Sequence, residues 1–149
     1  MLFRSWLGAV EREPRGLVEW RDDGRTANYR VHSDSPFKAA LPLIRIPDYS
    51  GLHADPATGR VYALFRNAHL IVQLEKSGES WTETRAWSYR HIETDPRWAY
   101  RAQTYGQAEG LVVAHDVATL IFDNNLGGRQ ADPKDARPLI VQVRLPEQP

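Results

Sequence analysis

Arginines in the polar segments of this sequence could bind an anionic group. A guanidinium group contacts phosphate or carboxylate oxygens through two parallel donors, which gives it a geometric advantage over lysine. A side-chain amide and an imidazole close by would add further donors. The candidate substrate-binding residues are Arg12, Arg15, Arg66, Asn67, His69 and Arg137. The alternative is that each arginine forms an ion pair with a neighbouring carboxylate.

Two carboxylates are candidate catalytic groups. Glu109 stands beside one apolar run, and Asp123 directly follows another. A carboxylate in a partly dry channel has the raised pKa that a general base needs, so either residue could activate water. For Glu109 a second interpretation stays open, in which its side chain caps backbone amides at the turn before Gly110.

Oxygen ligands that suit a divalent cation stand together at Asp123-Asn124-Asn125. The candidate metal ligands are Glu11, Asp123, Asn124 and Asn125. Calcium or another divalent cation is therefore the candidate cofactor. The spacing of a DxDxDG calcium loop does not accompany the triplet, and Asn and Asp also favour left-handed turns, which is the alternative.

Composition excludes several classes of function. The chain has 149 residues, with nineteen basic and nineteen acidic side chains and no cysteine. A balanced charge without a basic stripe argues against nucleic-acid binding. The lack of cysteine excludes disulfides, thiol nucleophiles and cysteine-ligated metal centres. No apolar run approaches the roughly 20 residues that span a bilayer, and no GxSxG elbow, P-loop or dinucleotide fingerprint is present.

Short apolar runs bounded by turn residues must position these side chains. Such a pattern predicts an all-β protein. The predicted strands are residues 16–21, 61–65, 69–74, 81–89, 111–114, 119–122 and 139–145. Only residues 95–102 (DPRWAYRA) could form a short helix, with Pro96 in its first turn.

The sequence also repeats itself. One offset places Ala9, Arg12, Leu17, Val18 and Gly24 on Ala63, Arg66, Ile71, Val72 and Gly78. A second offset places LIVQL (residues 70–74) on LIVQV (residues 139–143), and Ser50-Gly51-Leu52 recurs as Glu109-Gly110-Leu111. Repeats of this size with four strands each are typical of propeller blades.

We therefore predict a partial β-propeller of antiparallel four-stranded blades, with an open β-sandwich as the second choice. One complete blade runs from Tyr49 to Tyr89, with a partial blade on each side. About two to three blades leave the ring incomplete, because propellers usually have four or more. A chain that exposes an open sheet edge and an uncovered blade face should be poorly soluble or self-associate.

In a propeller, the loops between the second and third strands of each blade lie on the same face as the blade-linking loops. By this rule residues 11–15, 66–69 and 123–137 join the linking segments 45–48 and 90–109 around one central mouth. The candidate site therefore lies on a single face. Trp98, Tyr100 and Tyr105 could line a pocket there, although packing between blades is the alternative.

Several segments together resemble the esterase-like phytase propellers, which are related in pattern to SdiA-regulated periplasmic propellers. They are GAVEREPRGLVEW (8–20), DYSGLHADPATGRVYALFRN (48–67), AEGL (108–111) and IFDNN (121–125) followed by RPLIVQVRLP (137–146). By position, Glu11-Arg12 matches the Glu-Arg after a second strand, and Glu109 matches the Glu of a Glu-Gly pair. Asp123-Asn124-Asn125 matches a polar triplet. Phe65 departs from the pattern, because an acidic residue is expected before Arg66.

The resemblance implies that residues 6–147 form the C-terminal part of such a domain, with N-terminal blades of the same chain missing. Residues 2–5 (LFRS) match what a sequencing adapter encodes in one reading frame, which predicts that residues 1–5 are a non-native leader; a genuine short N-terminus is the alternative. Family membership implies a periplasmic or secreted protein that hydrolyses phosphate esters of a small anionic substrate. The alternative is a non-catalytic propeller that binds a ligand or a protein partner.

Overall fold

The computed structural model describes residues 5–10, 16–32, 48–101 and 106–146. Three of the candidate site residues, Glu11, Arg12 and Arg15, lie outside the described residues, as does Tyr105. Neither helix within the described ranges is long and apolar enough to cross a membrane.

The described chain is all-β, as predicted. Its ten strands are β1 (Ser5–Ala9), β2 (Gly16–Arg21), β3 (Thr26–His32), β4 (Tyr49–Ala54), β5 (Val61–Phe65), β6 (Leu70–Ser77), β7 (Ser80–Ser88), β8 (Ala108–Ala114), β9 (Val117–Phe122) and β10 (Leu139–Arg144). A 3₁₀ turn (Arg66–Ala68) separates β5 from β6, and a one-turn helix, α1 (Arg90–Glu93), follows β7.

The strands form three consecutive units. Unit 1 is β1–β3, unit 2 is β4–β7 and unit 3 is β8–β10, and each is an antiparallel meander. Unit 2 has four antiparallel strands within residues 49–89, the range in which the sequence predicts four strands. Its turns use glycine where the backbone is left-handed, with Gly59 at φ +70° and Gly78 at φ +59°.

Strand registers confirm the repeat between units 2 and 3. Phe65 pairs with Leu70 in unit 2, and Phe122 pairs with Leu139 in unit 3, so LIVQL and LIVQV occupy equivalent positions. The pairing of β4 shifts between Tyr49 and Gly51, and that of β8 shifts between Ala108 and Gly110.

The offset predicted for unit 1 is correct for β2 but wrong by one residue for β1. Gly8 pairs with Val18, and Ala63 pairs with Val72, so Gly8 rather than Ala9 is the equivalent of Ala63. The loop between the two strands therefore differs in length between the units, which a fixed offset cannot show.

The units do not form separate blades throughout. A two-residue parallel pairing of Val31 with Trp81 and His32 with Thr82 joins β3 to β7. Units 1 and 2 thereby become one nearly closed seven-stranded sheet in the order β1-β2-β3-β7-β6-β5-β4, and unit 3 is a separate three-stranded sheet. The coarse prediction of an antiparallel β fold holds, whereas the propeller remains a proposal.

Two hydrophobic cores cover the two faces of unit 2. On one face Ala63, Phe65 and Val72 pack against Leu17 and Tyr29 of unit 1. On the other face the core joins unit 2 to unit 3 through Tyr62, Leu64, Ile71, Trp87, Leu111, Leu120 and Phe122. All five residues of β5 are buried for this reason.

The predicted helix at residues 95–102 is wrong. The helical turn lies earlier, at Arg90–Glu93, and residues 96–98 form a turn whose Trp98 and Ala99 amides donate to the Asp95 carbonyl. Asp95 and Pro96 start a turn here because the carboxylate accepts the Arg97 amide at 3.0 Å.

Candidate functional site

One end of units 2 and 3 gathers most of the predicted polar segments. The β5–β6 turn, the start of β4, the end of β7 and the start of β8 meet there. Ser50 Oγ donates to the Ala108 carbonyl at 2.7 Å, and the Asp123 amide donates to the Gln107 carbonyl at 2.9 Å. The described part of the chain thus brings Arg66, Asn67 and His69 together with Glu109.

Arg66 is the centre of this cluster and contacts two carboxylates. Its Nη2 donates to Asp48 Oδ2 at 3.0 Å, and its Nη1 donates to Glu109. The exposed fraction of the side chain is 11% for Arg66, 3% for Asp48 and 43% for Glu109. Arg66 therefore has one buried and one half-exposed partner.

Burial lowers the pKa of Arg66, but the Asp48 hydrogen bond and the charges of Glu109 and Asp48 raise it more. The net pKa lies above the ordinary arginine value, so the guanidinium stays charged. Arg66 therefore forms ion pairs with carboxylates, which is the alternative interpretation of the arginines given above. The contact of Glu109 with Arg66 also gives its side chain a role other than capping the turn before Gly110.

Asp48 is fixed from two sides. Asn67 Nδ2 donates to Asp48 Oδ1 at 2.9 Å while Arg66 occupies Oδ2. The other side-chain atom, Asn67 Oδ1, is buried and accepts no hydrogen bond from the described residues. The 3₁₀ turn presents Arg66 and Asn67 side by side, so both reach the same carboxylate.

His69 ends the 3₁₀ turn in the left-handed region, with φ +56°. Its Nδ1 contacts Glu93 of α1, whose other carboxylate oxygen accepts the Gln107 amide at 3.0 Å. Glu93 is buried, with 6% of its side chain exposed. The segments around β6, α1 and β8 are therefore tied together by one carboxylate.

The backbone approaches closely behind Arg66. A Cβ atom at Gly106 would lie 2.1 Å from the Arg66 carbonyl oxygen, so only glycine fits there without movement of the turn. The Tyr89 ring is fully buried nearby and packs edge-on against His69 and Phe122. Burial raises the pKa of Tyr89 well above its ordinary value, which keeps the phenol neutral.

A cleft of about 470 Å³ opens beside the cluster. Strand β1 contributes Leu7, Gly8 and Ala9, strand β4 contributes Tyr49, Ser50, Gly51 and Leu52, and Arg66 and Glu109 complete the lining. Both bordering strands are edge strands of the seven-stranded sheet. A volume of this size is within the range of about 300–1,000 Å³ that is usual for small-molecule sites.

The Asp123-Asn124-Asn125 triplet forms a turn and is not among the residues that line this cleft. The Asn125 amide donates to Asp123 Oδ1 at 3.0 Å, and Asn125 and Leu126 have left-handed φ values of 45° and 61°. This geometry agrees with the turn alternative. No group of three or more His, Cys, Asp or Glu side chains that could hold a metal occurs within the described ranges.

Arg137 lies away from Arg66 and pairs with Asp135, at 2.7 Å between Nε and Oδ1. This hydrogen bond holds the pKa of Asp135 below its ordinary value. Arg137 is 84% exposed. The structure thus does not bring Arg137 into the cluster around Arg66.

Sequence reasoning missed the role of Arg129 within the 123–137 segment. The guanidinium is buried, donates Nη2 to the Arg137 carbonyl at 3.0 Å and Nη1 to the Trp98 carbonyl at 2.5 Å, and stacks 4.3 Å from the centre of the Tyr100 ring. Tyr100 is buried by this packing, whereas Trp98 is 44% exposed. Arg129 therefore holds the segment against the connection that follows α1.

Comparisons of the chain with protein-family models, with curated proteins and with solved structures find no match. The resemblance to phytase-like propellers therefore stays a prediction.

Proposed function

We propose that this chain is a ligand-binding protein whose cleft takes a small molecule with an anionic group on Arg66. The proposal depends on the difference between the two partners of Arg66. Asp48 is buried and fixed by Asn67, whereas Glu109 is 43% exposed at the cleft. A carboxylate or phosphate of a ligand would replace Glu109 on the guanidinium and leave the Asp48 pair in place.

The exchange is energetically cheap. The incoming anion makes a charge-assisted bond to Arg66 equivalent to the one that Glu109 gives up, and the displaced Glu109 side chain, already 43% exposed, is solvated by water. Glu109 would remain beside the ligand, so a purely anionic molecule would be repelled. A phosphorylated sugar or polyol fits better, because its hydroxyl groups can donate to the displaced Glu109 carboxylate.

The test is calorimetric titration with inorganic phosphate, glucose 6-phosphate and glucose at low salt. We expect glucose 6-phosphate to bind most tightly. Glu109→Gln should strengthen binding severalfold, because it removes both the competing carboxylate and its repulsion. Arg66→Lys should weaken binding at least about tenfold, since lysine lacks the paired donors.

Matched controls lie far from the cleft. Asp116→Asn neutralises a carboxylate in the β8–β9 turn, and Arg25→Lys changes an exposed arginine that also pairs with a carboxylate, Asp23. Both controls should bind like the wild type. Equal weakening by Arg25→Lys and Arg66→Lys, or no binding of glucose 6-phosphate, would overturn the proposal.

The second candidate function is hydrolysis of a phosphate ester, with Glu109 or Asp123 activating water. The exposure of the Glu109 carboxylate beside Arg66 favours it, because water can reach the carboxylate there. Phosphate release from phosphomonoesters, with and without calcium, distinguishes the candidates. Hydrolysis requires that release is lost in Glu109→Gln or Asp123→Asn, whereas binding alone gives no release in any variant.

A further inference from the structure

We propose that copies of this chain associate head to tail, with the outer face of unit 3 of one copy covering the outer face of unit 1 of the next. This proposal does not depend on the cleft. It comes from two exposed apolar faces and from the way in which the units already pack on one another.

The exposed apolar side chains are concentrated on two faces. Seven large apolar residues are exposed among the described residues, and five of them lie on the outer sides of units 1 and 3. Trp6 (62% exposed) and Trp20 (46%) are direct cross-strand partners on unit 1. Ile121 (46%) and Ile140 (65%) are partners on unit 3, with Val112 (52%) on the same side.

The outer face of unit 3 is equivalent to a face that is buried elsewhere in the chain. By strand register Ile121 corresponds to Leu64, and Ile140 corresponds to Ile71. Leu64 and Ile71 are both fully buried because unit 3 packs over them. Ile121 and Ile140 therefore lie on the side of unit 3 that corresponds to the unit 3-binding side of unit 2. Within the described residues no further unit packs over them.

The outer face of unit 1 is equivalent to the opposite docking side. Gly8 and Val18 correspond to Ala63 and Val72, which face unit 1 across the second core. The side chains of Trp6 and Trp20 extend this face, and the Trp20 ring lies over Gly8. Unit 1 thus presents the side that would receive a preceding unit.

Both faces carry little charge. The outward positions of β1–β3 include one charged residue, Arg30, and those of β8–β10 include one, Arg144. Interface centres are depleted of charge and enriched in tryptophan, so continuation of the internal stacking into a second copy buries both faces.

The interface is heterologous, since two different faces meet, and so it can extend beyond a dimer. Sedimentation velocity of the full chain over a wide concentration range should show reversible association into species larger than dimers. Ile140→Lys and Trp20→Lys should each raise the dissociation constant at least about tenfold. Leu126→Lys, at a 97% exposed loop residue, is the matched control and should associate like the wild type.

Mixing gives the sharpest test. Ile140→Lys keeps a working unit 1 face, and Trp20→Lys keeps a working unit 3 face, so each alone should be monomeric and an equimolar mixture should form heterodimers. Ile121→Lys and Trp6→Lys repeat the test at neighbouring positions, and circular dichroism verifies that every variant folds. The proposal would be overturned if the wild type stayed monomeric. It would also be overturned if one variant alone formed dimers and mixing the two variants gave no heterodimers.

Discussion

Asp48 and Arg66 form the buried half of the polar cluster, with 3.0 Å between Asp48 Oδ2 and Arg66 Nη2. Asp48 immediately precedes β4, and Arg66 immediately follows β5. Because these strands are antiparallel neighbours and Tyr49 pairs with Phe65, the two side chains meet at the same end of the sheet. The ion pair is thus a consequence of strand register.

The first prediction concerns the cost of breaking that pair. Asp48→Asn should lower the free energy of unfolding by about 3 kcal/mol, because it removes the buried carboxylate that pairs with the poorly exposed Arg66 charge. Chemical denaturation followed by tryptophan fluorescence measures the change. Asp116→Asn, in the β8–β9 turn, should change stability by no more than about 0.5 kcal/mol. Equal effects of the two substitutions would show that the Asp48–Arg66 pair contributes nothing specific.

The second prediction concerns acid stability at the turn after α1. Hydrogen bonds from the Arg97 side chain, and then from its amide, lower the pKa of Asp95 from 3.8 to about 2. A carboxylate with a lowered pKa stabilises the fold above its unfolded pKa, and this contribution is lost as the pH falls from about 4 to about 2. Arg97→Gln should raise the pKa of Asp95 but leave it below 3.8, because the backbone amide of residue 97 still donates a hydrogen bond to the Asp95 carboxylate.

The carboxyl ¹³C shift of Asp95, followed by NMR during an acid titration, measures this pKa. Arg90→Gln removes an arginine from α1 that does not contact Asp95 and should leave the pKa at about 2. The Arg97 contact would be irrelevant if the titration curves of the two variants coincided.

Much of the fold could be predicted because its signals are local. Apolar runs between Asp-, Pro- and Gly-rich turns defined unit 2, and the LIVQL and LIVQV segments turned out to share one strand register. Strand β3 was not predicted, since its outward positions Thr26, Asn28 and Arg30 are polar. Its parallel contact with β7 depends on how unit 1 curls around a core, which no local pattern encodes.

The candidate site could be predicted only in part. The assignment of loops to one face of a propeller predicts that Arg66, Asn67 and Glu109 lie at one end. These three residues do meet at one end of the sheets. The buried partners Asp48 and Glu93 received no role, although both stood in the predicted linking segments. Each acts through a residue far along the chain, Arg66 or His69, so neither has a motif of its own. An isolated carboxylate directly before a strand, as at Asp48, is the only signal that sequence offered.

The third prediction tests whether Arg129 holds the 123–137 segment in place. Arg129→Lys should lower the free energy of unfolding by about 2 kcal/mol, because lysine cannot reach two carbonyls and stack on Tyr100 at once. Hydrogen exchange should quicken at the amides of Gln130 and Ala131, which donate to the Ala99 and Pro96 carbonyls. The β5–β6 amides should keep their relative protection. Arg137→Lys, at an exposed ion pair, should leave the free energy of unfolding unchanged. Uniform loss of protection in Arg129→Lys would instead mean that Arg129 supports the whole fold rather than this segment.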